Sequence, residues 1–144
     1  MSIIVTFFTA PDDTSAALAS RTGPGRAFES LSFGNFDPEA AVIEWECLLA
    51  GGSFEELTDA GEPRIISDPD NSGRLVFALS PRLCAALAGG ERDRLRDVGS
   101  AWAEQRAADG EFIDPDVAHG ILGDLASLAS GSRGEGRGVY CWVA

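Results

Sequence analysis

The sequence predicts an α+β fold. It reads as one domain over residues 1–144, a small, mostly antiparallel sheet of about four or five strands covered by helices. Three observations lead there. Both ends of the chain are apolar and rich in β-branched or aromatic residues, "SIIVTFFTA" at 2–10 and "VYCWVA" at 139–144. Two further runs, "PRIIS" at 63–67 and "RLVFALS" at 74–80, flank a turn-rich stretch as the arms of a hairpin would. Helical patterns fill the intervals, and strands at both termini with helices grouped between them are the ordering of an α+β domain. The terminal strands are too apolar for an edge, so both are expected inside the sheet, and adjacency would serve each.

Taken in order, "SIIVTFFTA" ends at Pro11 and "PDDTSAALASR" can hold a short helix. "TGPGRAFESLSFGN" is rich in breakers and suits a loop with one short extended piece. "FDPEAAVIEWECLLAGG" is an explicit helix: Asp37 caps it, Pro38 suits its first position and Gly51 stops it. Ser53 and Glu56 have capping-box spacing for one further turn. Ser80-Pro81 opens a helix that closes at Gly89-Gly90, and "ERDRLRDVGSAWAEQRAADG" gives a longer one with a narrow stripe of Leu95, Val98 and Trp102. "IDPDVAHGILGDLASLASG" starts at Asp114-Pro115 and carries Val117, Ile121, Leu125 and Leu128 at helical spacing. "GSRGEGRG" is expected as a mobile connection to the last strand.

Composition excludes more than it assigns. A chain of 144 residues buries roughly two-thirds of its unfolded surface. Its net charge of -12 and pI near 4.3 oppose nucleic-acid or anionic-membrane binding, which Lys and Arg drive. A charged partner would be a basic protein. All 11 basic residues are Arg, so Schiff-base and P-loop lysine chemistry is unavailable. The abundance of Ala and Gly attributes this to a GC-rich coding sequence. Cys47, Cys84 and Cys141 are odd in number and widely spaced, the usage of a reducing compartment. "MSIIVTFFTAPDD" has no basic segment and too short an apolar run for a signal or span, so a cytoplasmic location is expected. No cofactor motif is present.

The candidate sites are few. Asp68, Asp70, Ser72 and Gly73 match positions 1, 3, 5 and 6 of a calcium loop. Position 12, which should supply a bidentate Glu, is Leu79, and Pro69 with strand-like flanks favours a hairpin turn. Glu44 and Glu46 suggest an acid–base pair, yet residues two apart on a helix point about 200° apart. They flank the apolar face of Val42, Trp45 and Leu49 on opposite sides. His119, the sole histidine, stands near the polar edge of its helix within reach of Asp116. A Cys84–His119 nucleophile pair is the remaining combination. Trp102, on its narrow stripe, is the tryptophan expected at an interface if any is exposed. Arg92, Arg94 and Arg96 alternate with Asp93 and Asp97, a pattern that intrahelical pairing explains.

The order of an N-terminal strand, "EWECLLAGG", a strand running into "LSPRLCAALAGGERDRLR", a final helix and an apolar C-terminal strand resembles the YfbM-like bacterial domains. That resemblance implies an α+β fold and brings no activity with it. The expectation is a cytoplasmic, non-enzymatic interaction protein with a basic protein partner, its concrete form being immunity- or antitoxin-like. The alternative is a small enzyme or ligand-binding domain using Glu44 or Glu46 with other acidic or Arg residues.

Overall fold

Both apolar ends of the chain become neighbouring strands at the centre of one sheet. The computed structural model describes residues 4–20, 23–24, 30–34, 36–67 and 74–144. Strand β1 (Ile4–Ala10) runs antiparallel to β5 (Gly138–Val143), from Val5 opposite Val143 to Ala10 opposite Gly138. β2 (Ser30–Gly34) is the short extended piece within the breaker-rich stretch, and it pairs with the other side of β1. β3 (Arg64–Ile65) and β4 (Leu75–Ala78) pair as the expected hairpin, completing the order β2-β1-β5-β4-β3 with every neighbour antiparallel.

The pleat sends alternate residues to opposite faces. Val5, Phe7, Phe77, Val139 and Cys141 join the main core, while Phe8, Ala10, Val76, Ala78 and Tyr140 form a second, smaller one. The central strands are thus buried on both faces, which is why β1 reads as an apolar run interrupted only by the buried Thr6 and Thr9 rather than as an alternation. α1 (Asp13–Ala17) belongs to the smaller core through Ala16. α2 (Pro38–Ala50), α4 (Pro81–Ala88), α5 (Arg92–Ala108) and α6 (Pro115–Gly134) build the larger one. α3 (Phe54–Asp59) has no fully buried residue; Leu57 is partly buried against the larger core, and the helix packs on α2.

The helix ends follow their sequence signals. Asp37 Oδ1 accepts from the amides of Glu39 and Ala40 at 3.1 and 3.4 Å. Ser53, Ser80 and Asp114 likewise accept from Glu56, Leu83 and Asp116. At the other end of α2, Gly51 adopts φ 89°, and two arginines reach the last carbonyls. Arg94 donates to Leu49 O at 3.0 Å, and Arg82 donates to Ala50 O. The expected intrahelical pairing of Arg92, Arg94 and Arg96 is therefore replaced: none makes an ion pair among the described residues, and Arg94 ties α5 to α2.

Three further expectations are corrected. Trp102 is no surface anchor. It is fully buried, edge-on to Trp45 at 5.1 Å and to Phe36 at 5.8 Å, because α2 covers the narrow stripe of α5. Val117 is 55% exposed. The buried residues of α6, Ala118, Ile121, Leu122, Leu125, Leu128, Ala129 and Ser132, centre on a direction about 80° away from it. "GSRGEGRG" is half helix: α6 continues to Gly134 because Ser132 is buried and donates to Ala129 O at 3.0 Å. No helix among the described residues is long and apolar enough to cross a membrane.

Candidate functional site

Glu44 and Glu46 leave α2 toward different neighbours, as their angular separation requires. Glu44 turns to α5, where its Oε2 meets the guanidinium of Arg106 at 2.5 Å and its Oε1 accepts from Trp102 Nε1 at 3.1 Å. Desolvation holds the Glu44 carboxyl above its usual range against the pull of Trp102 and Arg106, and Asp109 and Glu111 push it the same way. Glu46 is buried against α4. It accepts from Ser80 Oγ, the capping residue of that helix, and pairs with Arg82 at 3.5 Å. Each carboxylate thus has an arginine from another helix, and the two do not share a cavity.

His119 bonds Ser100 Oγ through Nε2 at 2.9 Å and stands 3.9 Å from Asp116. Its ring lies against Gly99, at the contact of α5 with α6. Cys84 lies instead on α4, where burial holds its thiol above its ordinary value while Val139 and Arg133 act the other way. The two face different surroundings, so the geometry does not assemble a nucleophile pair. Asp68, Asp70 and Ser72 lie outside the described residues. Elsewhere, among the described residues, no group of three or more His, Cys, Asp or Glu is placed to hold a metal.

Glu44 opens onto an open groove of about 560 Å³ between α2, α3 and the end of α5, lined also by Phe54, Gln105, Arg106 and Asp109. Arg106 is the central cation here, held by Glu44, by Asp109 at 2.6 Å and by Glu111 at 3.8 Å. Two lining carboxylates, Glu44 and Asp109, against one guanidinium leave the groove net negative, and Glu111 adds to this from beside it. α3 adds the exposed Glu55, Glu56 and Asp59. Apolar surface accompanies this charge: Phe54 is 45% exposed, and Phe112, next to Glu111, is 85% exposed.

Sequence reasoning singled out Glu44 but missed Arg106, Phe54 and Asp109. Arg106 meets Glu44 across 62 positions of chain, which no local spacing encodes. One signal was available: "DGEFIDPD" sets a lone aromatic, Phe112, among acids in a connection between two helices, where an aromatic is often left exposed. Comparison with protein-family models, with curated proteins and with solved structures finds no match.

Proposed function

We propose that this chain is a protein-interaction domain whose acidic, aromatic face docks a basic segment of a partner protein. The observation that carries this is the groove between α2, α3 and α5, where exposed Phe54 shares the lining with two carboxylates, Glu44 and Asp109, gathered on Arg106. An aromatic anchor with a charged rim is the composition of a docking site, and an acidic rim selects a basic partner and steers its approach. The net charge of -12 acts in the same direction over a longer range. A cytoplasmic immunity- or antitoxin-like role is the concrete form, in which the partner is a basic toxin. The likeness to YfbM-like domains adds no activity to this reading. The competing small-enzyme reading has less support, since Glu44 and Glu46 each serve a separate interhelical ion pair.

Affinity capture from the native host, eluted over a salt gradient, tests the proposal. A basic protein should be retained at low salt and released as salt rises, and Glu55→Lys and Phe54→Ser should each weaken its retention. A partner whose binding ignored salt and both substitutions would refute it, as would the recovery of no partner at all.

A further inference from the structure

Away from the acidic groove, three of the chain's 11 arginines line one cavity of about 410 Å³ at the end of the sheet. Arg64 comes from β3, Arg133 from the last turn of α6, and Arg137 from the connection into β5. The cavity wraps the strand ends where β4 runs out at Ala78 and β5 begins at Gly138. No Asp or Glu is among the described residues that line it, although acids outnumber arginines 23 to 11 in the chain.

The cations differ in how far they are committed. Arg64 is paired at 2.5 Å with Asp13, which also accepts from Tyr140 Oη at 2.8 Å, so this arginine already has a carboxylate partner. Arg137 pairs with Glu135 at 3.2 Å, a contact open to solvent that holds it weakly. Arg133 makes no ion pair among the described residues. The remaining wall is apolar, with Leu79, Ala85 and Val139, and carries the half-buried thiol of Cys84.

We infer that this cavity binds a small organic anion with an apolar body and a single carboxylate head. The volume falls within the roughly 300–1,000 Å³ range of small-molecule sites, mostly apolar with a few placed polar groups. A bare inorganic anion would leave the apolar part of the wall unused, and a neutral molecule would leave unused the exposed guanidinium of Arg133, which makes no ion pair among the described residues. Guanidinium and carboxylate match as planar, bidentate partners, so Arg133 holds the head with Arg137 beside it. The binding is independent of the acidic groove, and either proposal can fail alone.

Isothermal titration calorimetry of the full chain at physiological salt tests the inference with three probes. Octanoate supplies body and head, acetate the head alone, and inorganic phosphate a bare anion. Octanoate should bind saturably, and acetate and phosphate should produce no saturable heat at the same concentrations. Arg133→Gln should weaken octanoate binding about ten-fold, the worth of one charge-assisted contact. Ala85→Trp, at an exposed wall position, should fill the cavity and abolish binding while circular dichroism stays native. Absence of octanoate binding, equal binding of phosphate, or octanoate affinity unchanged in both variants would overturn the assignment.

Discussion

Glu44 on α2 and Arg106 on α5 meet at 2.5 Å with both side chains largely withdrawn from water, 11% and 17% exposed. Removing one partner of such a pair strands the other charge, which costs more than the pair itself contributes. Arg106→Leu should therefore lower the unfolding free energy by about 2–4 kcal/mol. Adding Glu44→Gln to that variant should recover part of the loss, because a neutral amide tolerates the same burial and still accepts from Trp102. Chemical denaturation of the wild type, both single variants and the double variant checks this, and a double variant no more stable than Arg106→Leu would contradict it.

Gly99 sets the distance between α5 and α6. A methyl group there would lie 2.8 Å from His119 Cδ2 and 3.2 Å from the His119 backbone nitrogen. The ring can swing aside but the backbone cannot, so Gly99→Ala should cost about 1–3 kcal/mol despite its better helix propensity. Adding His119→Ala should relieve only the side-chain part of the clash. Thermal unfolding of the single and double variants reads both effects, and a Gly99→Ala protein as stable as the wild type would show that the helices are free to separate.

The elements of this fold were legible because their signals are local. Asp37-Pro38, Ser80-Pro81 and Asp114-Pro115 announce helix starts through backbone chemistry that needs no distant partner, and each start appears where the dipeptide stands. Central placement of β1 and β5 followed from their largely apolar character. Side-chain destinations were less legible. Trp102 could be placed on a narrow stripe but not beneath α2, since that depends on how two helices cross. Arg94 has acidic neighbours in sequence, yet it bonds carbonyls of α2 that are 45 and 46 positions away. The two concavities are likewise made by residues drawn from three or more elements each.

Calcium should not stabilise this chain. Its would-be ligands Asp68, Asp70 and Ser72 lie in the stretch joining β3 to β4, two strands paired as a hairpin with Ile65 opposite Phe77. A calcium loop is closed by a bidentate acid at position 12, and Leu79 occupies that place, buried in the core. Micromolar calcium should leave the melting temperature where it is. A rise of several degrees that EDTA reverses would restore the metal site.

Stability should pass through a maximum in mildly acid solution. Desolvation raises the carboxyls of Glu39, Glu44 and Glu62 above their ordinary value of 4.5 in the folded chain. A group raised in this way takes up a proton more readily folded than unfolded. Its stabilising contribution is complete below 4.5 and is lost as the pH rises through the folded-state value. Relief of self-repulsion at net charge -12 has the same sign. Asp13 behaves oppositely: hydrogen bonds from Arg64 and Tyr140 hold it below 3.8, so its contribution is present above that value and fades as the pH falls further. The melting temperature should climb as the pH descends from neutral toward 4.5, then fall below about 3.8. Glu44→Gln should flatten the climb and Asp13→Asn the fall, which separates these groups from general charge repulsion. A melting temperature that declined steadily from pH 7 downward would show that desolvation of the three glutamates does not govern this limb.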